Sequence, residues 1–194
     1  MPYTRSKQMA LAGIALALSG CGNNSIESYE GQKPVITVRD FYSGPVQGYG
    51  IFKNSSGTVT GRYYATLVPT WHGNEGTIVE KQWNDQGKLF FQQEWKISVT
   101  NDGNHFTATA TEINGTVKGE SSGYALHMQY TLMTPRDDGS KIDISSDDWT
   151  YLQPDGSGIN MISMSKFGLH VGDVIYNLHP LKIGEKLHEG YFPG

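Results

Sequence analysis

Two adjacent carboxylates inside an otherwise aromatic run, Ser145-Ser-Asp147-Asp148-Trp149-Thr-Tyr151, are the residues of this chain with the clearest capacity for chemistry. Carboxyl groups that share one pocket can divide the roles of acid and base, because each raises the other's hold on its proton. Neighbours on a strand point to opposite faces, so these two must separate, and at least one turns inward or meets a cation from the next strand. The turn Pro154-Asp-Gly156 predicts a tight hairpin, with Asp147 opposite Met164 and diagonal to Lys166, and Trp149 opposite Ile162. On that register Asp147 and Lys166 form a polar pair on the face of Trp149 and Tyr151. A cross-strand ion pair that fixes register is the plainer account of it than a ligand contact.

Other literal motifs fail on context. Gly119-Glu-Ser-Ser-Gly123 fits the hydrolase pattern Gly-x-Ser-x-Gly, but that nucleophile needs a strand, a sharp turn and a helix, and the residues from Tyr124 onward alternate as a strand. Gly48-Tyr-Gly50 lacks the third glycine and the helix of a phosphate loop. The turns 101–104 and 136–139 lack the closing glutamate of a helix-loop-helix calcium site. The histidines are scattered, with no close pair at metal-ligand spacing. No catalytic residue, metal site or cofactor is assigned, and the chain reads as a protein other than an enzyme.

The only cysteine, Cys21, ends a segment with a basic start (Arg5, Lys7), an apolar run from Met9 to Leu18 and small residues before the thiol. That is the pattern of a secretory signal. Leu18-Ser19-Gly20-Cys21 resembles the lipobox of bacterial lipoproteins, in which the cysteine is acylated and becomes the new amino terminus. The apolar run is too short to span a bilayer, which takes about 20 residues. The expectation is a protein held to the membrane through acyl chains on Cys21. Gly22 in place of aspartate favours the periplasmic face of the outer membrane over the inner membrane, if the enteric sorting convention applies. Residues 1–20 are thus read as a cleaved signal, 21–40 as the lipidated cysteine with a flexible tether, and 41–194 as the folded domain.

The whole chain carries 15 Lys+Arg against 19 Asp+Glu. Losing Arg5 and Lys7 with the signal leaves 13 against 19, a charge of −6. A mildly acidic surface argues against nucleic acid as a partner. With no second cysteine, stability rests on packing and the hydrogen-bond ladder.

From residue 45 to 181 the chain reads as all-β. Turn signals such as Asn54-Ser-Ser-Gly57, Asn84-Asp-Gln-Gly87, Pro154-Asp-Gly156 and Gly172-Asp173 punctuate segments that alternate apolar and polar. In Phe91-Gln-Gln-Glu-Trp-Lys-Ile-Ser-Val99, Phe91, Trp95, Ile97 and Val99 share one face. Loops this short leave antiparallel up-and-down pairing as the economical topology. About nine or ten such strands favour closure into a single barrel over a sandwich, because closure removes exposed edges.

The chain resembles a family of uncharacterised proteobacterial lipoproteins catalogued as domain of unknown function thirty-eight thirty-three. The resemblance is carried by Phe41-Tyr-Ser-Gly44, Gly48-Tyr-Gly50, Gly61-Arg62-Tyr63, Trp71-His-Gly-Asn74, Gly76-Thr-Ile-Val-Glu80, Gly115-Thr-Val-Lys-Gly119, Asp147-Asp148-Trp149-Thr-Tyr151 and Met164-Ser-Lys-Phe-Gly168. It implies a calycin-like or lipocalin-like barrel on a lipid anchor, with no established activity. The chain departs from the family pattern at Gln93, Tyr124, Met128 and Met161, where relatives tend to carry Arg, Asn, Trp and Arg.

Two functional classes follow. In the first, the barrel binds or shields a fatty acid or lipid fragment in envelope maintenance, and Phe91, Trp95, Met128, Tyr130, Trp149, Tyr151 and Met164 line its cavity. In the second, those side chains are packed core and the surface acts on an envelope partner, whose identity the sequence does not give. The first is preferred, since an anchored closed barrel is suited to enclosing something.

Overall fold

The computed structural model describes residues 24–135 and 138–188. The signal and Cys21, on which the lipoprotein reading rests, lie outside the described residues.

Ten strands run in order: β1 (Val46–Asn54), β2 (Val59–His72), β3 (Glu75–Asn84), β4 (Leu89–Val99), β5 (His105–Ala110), β6 (Val117–Ser122), β7 (Ala125–Pro135), β8 (Lys141–Leu152), β9 (Gly158–Lys166) and β10 (Leu169–Pro180). Each pairs antiparallel with the next, and β1 pairs with β10 from Val46↔Pro180 to Asn54↔Gly172, which closes the ring. This is the all-β up-and-down barrel expected. The alternation behaves as expected too: on β4, Gln93, Trp95, Ile97 and Val99 are buried while Gln92, Glu94 and Lys96 are exposed.

Turn chemistry sets the hairpins. Asn54 Oδ1 accepts from the backbone N–H groups of Ser56 and Thr58, and Asn84 Oδ1 does the same for Gln86 and Lys88. These side chains mimic a backbone turn. The turn expected at Gly172-Asp173 lies elsewhere. The chain reverses at Phe167-Gly168, with φ of 51° and 77°, and Gly172 sits inside β10 at a bulge. Two successive left-handed residues give the primed turn whose twist matches the strands.

The β8–β9 register is one residue from that expected. Loop 153–157 pairs Leu152 with Gly158, so Ser146 faces Met164, Asp148 faces Ile162 and Trp149 faces Met161. With a side-chain period of two, a slip of one residue exchanges the faces relative to the partner strand. On β8 the inward residues are therefore Ile144, Ser146, Asp148 and Thr150, all of which line the lumen.

The segment read as a flexible tether is part of the fold from residue 24 onward. A single 3-10 turn, Ile26–Tyr29, lays Ile26 and Tyr29 over Ala125, Trp149 and Tyr151 on the outer wall. The backbone N–H of Ile36 then donates to Gly123 O at 2.8 Å. One turn of helix, α1 (Val38–Phe41), is capped by Thr37 Oγ1, which accepts from the Asp40 N–H at 3.1 Å. Ile36, Val38 and Phe41 are buried in the main core cluster. Trp71 Nε1 fastens the exit by donating to Tyr42 O at 2.8 Å. The segment plugs the end of the barrel that holds the β2–β3, β4–β5, β6–β7 and β8–β9 turns. Its apolar residues follow neither the strand nor the helix period, which is why the sequence pattern reads as leash.

Candidate functional site

With one end plugged, the lumen opens at the other, among the β1–β2, β3–β4, β5–β6, β7–β8 and β9–β10 loops. It holds a cavity of about 530 Å³. That lies within the roughly 300–1,000 Å³ usual for small-molecule sites. The mouth half is apolar, with Phe52, Phe90, Phe91, Leu132, Ile144 and Met164 on its walls. Outside the mouth, Phe167 is 91% exposed and Leu169 72% exposed.

Deeper, the apolar wall is broken by a polar band. Glu80 on β3 accepts from Gln82 Nε2 at 2.6 Å, from Gln93 Nε2 at 3.0 Å and from Trp95 Nε1 at 2.9 Å. Gln82 is itself held by the Tyr176 hydroxyl, which donates to its Oε1 at 3.1 Å. Asp148 on β8 accepts from Asn160 Nδ2 at 2.5 Å and from the Tyr130 hydroxyl at 3.2 Å. Strands β3 and β8 stand five apart in either direction round the ring of ten, so the two carboxylates lie on opposite walls. Trp95 and Tyr130 join the two clusters, meeting edge-on with ring centroids 5.8 Å apart.

Burial governs the electrostatics. Asp148 is 3% exposed. Removal from water pushes its carboxyl up to about 7, against the pull of the hydrogen bonds from Asn160 and Tyr130, and the charges of Glu80 and Asp147 push the same way. The phenols of Tyr42, Tyr130 and Tyr176 are raised by burial first and then by the nearby carboxylates, so they remain protonated. A carboxyl that exchanges its proton near neutrality on the wall of a cavity can accept a donor or pass a proton. Gln93 Oε1, which lines the cavity, is buried without a hydrogen-bond partner.

The structure divides the residues singled out by sequence. Phe91, Trp95, Met128, Tyr130 and Met164 line the cavity. Trp149 and Tyr151 point the other way, into the aromatic patch under Tyr29 on the outer wall. Asp147 shares that outer face and pairs with His127 Nε2 at 2.7 Å and Gln129 Nε2 at 2.9 Å, not with Lys166. Lys166 Nζ lies 4.7 Å from the centroid of the Phe167 ring. The polar pair is thus replaced by His127–Asp147, which the Trp149 ring covers by stacking on the imidazole at 4.0 Å. Sequence reasoning missed Glu80, Gln82, Gln93, Ser146, Asn160 and Tyr176. Glu80 leaves a trace, because it continues the inward positions of Gly76 and Ile78 as a lone charge.

A closed ring of ten antiparallel strands around a one-ended lumen is an up-and-down barrel with a lipocalin-like fold. The chain belongs to the family described as "Protein of unknown function (DUF3833)", which matches residues 15–179. No curated protein matches it. Among solved structures, the S-type phycobiliprotein lyase CPES from Guillardia theta is similar with a TM-score of 0.54 and 6% identity, over 76% of this chain and 94% of that one. At that identity the likeness speaks to the fold.

Proposed function

We propose that this protein holds one small, largely apolar molecule in the barrel lumen while tethered through acylated Cys21 to the periplasmic face of the outer membrane. The observation that carries the binding reading is the cavity of about 530 Å³, closed at one end and walled by aromatic and aliphatic side chains at the other. Likeness in fold to a phycobiliprotein lyase supports a barrel whose interior handles a small molecule, and leaves room for chemistry on it. The segment 35–42 strengthens the reading: it seals the end remote from the mouth, so a molecule inside contacts water through one opening only.

The test is saturable binding of the neutral fluorophore N-phenyl-1-naphthylamine to the purified protein. One site per chain is expected, with energy transfer from Trp95, and saturation at about 100 times the dissociation constant should raise unfolding stability by about 2.7 kcal/mol. Absence of saturable binding, with stability unchanged, overturns the proposal.

A further inference from the structure

The polar band of the lumen has engaged donors and unfilled acceptors. The side-chain donors of Gln82, Gln93, Trp95, Tyr130 and Asn160 are each already directed at a protein acceptor. Asp148 and Gln93 keep unused acceptor capacity. Each Asp148 oxygen receives one bond, from Asn160 at 2.5 Å and from Tyr130 at 3.2 Å, although a carboxylate offers about four acceptor sites in all. Gln93 Oε1 receives none, and it is buried. An unmatched buried acceptor is a standing penalty that a donor from outside would remove.

Charge points the same way. Two carboxylates face the lumen from opposite walls, and no Lys, Arg or His stands among its described lining residues. A third carboxylate brought in head-first would meet like charge at low dielectric with no cation to offset it. An ammonium group there would meet acceptors already in place, while its chain runs out along Phe91, Ile144 and Met164 toward the mouth.

Resting on the ligand-holding reading above, we propose that the molecule this barrel selects is an amphiphile with a protonated amine head seated between Asp148 and Glu80, and that carboxylate-headed chains are disfavoured. The band of acceptors is the discriminating element, and the apolar mouth half is indifferent to the head.

Displacement of N-phenyl-1-naphthylamine at pH 8 by dodecylamine, dodecanol and dodecanoate, all below their micelle concentrations, tests this. Dodecylamine should displace the probe at least about tenfold more tightly than dodecanoate, with dodecanol between them. Asp148→Asn should weaken dodecylamine by about tenfold and leave dodecanol within about twofold, with Glu80→Gln as the second variant. Dodecanoate equal to or tighter than dodecylamine overturns the inference, as does an amine affinity untouched by both variants. If the probe binds but no chain displaces it, the head assignment falls and the ligand-holding reading stands. If the probe does not bind at all, that reading itself falls.

Discussion

Asp148 is held where its charge is least welcome, and this makes it the residue through which pH acts on the fold. In the unfolded chain its carboxyl returns to about 3.9, whereas in the barrel burial raises it to about 7. Between those limits the folded state keeps a proton that the unfolded state has released, so stability falls as pH rises from about 4 to 7 and then levels off. The ceiling on that loss is about 4 kcal/mol, from a shift of about three units. Denaturant midpoints at pH 5 and pH 8 should show the wild type losing stability with pH, and Asp148→Asn losing far less of it. Asp147 acts in a separate window. Burial raises its carboxyl, but hydrogen bonds from His127, Gln129 and Trp149 outweigh that and hold it below the usual range. Its contribution is lost only as pH falls through that depressed value. The sequence showed that one carboxylate of the pair must turn inward, by strand alternation alone. Which one it is depended on the length of loop 153–157, a tertiary detail that the turn residues do not encode.

At the scale of elements, the lumen is shaped by where side chains are missing. A Cβ built on Gly50 would lie 2.4 Å from the Tyr176 ring and 3.0 Å from Ile175 O. The bare backbone of β1 lets that ring lie flat against it, and the ring's hydroxyl then holds Gln82 at the edge of the polar band. Gly50→Ala should therefore cost about 1–3 kcal/mol through forced displacement of Tyr176. Gly44→Ala, where a Cβ meets nothing within 4 Å, should be neutral or slightly stabilising, and chemical denaturation of the two variants separates them. The ten strands were legible because turn residues and two-residue alternation are local signals. The plug was not, since a single helical turn shows no period, and its stability comes from burying Ile36, Val38 and Phe41 in contacts made elsewhere in the chain.

For the whole molecule, the described chain is bound to the barrel from its first residue: Asn24 Nδ2 donates to the Tyr29 hydroxyl at 2.9 Å and to the Tyr151 hydroxyl at 3.1 Å. Under the proposed anchoring, Cys21→Ser should move the protein from the membrane fraction to the soluble periplasm or leave it unprocessed. Unchanged membrane partition of that variant would refute the anchor. The closing seam carries a different consequence, one of time. Because β1 pairs with β10, the ring joins residues at opposite ends of the domain, Val46 with Pro180 among them. No chain emerging from synthesis or from a translocation pore can close the barrel until its last strand has arrived. Until then the free edges of β1 and of the newest strand are open to pairing with other chains, and folding is slowed by the long-range join that ends it.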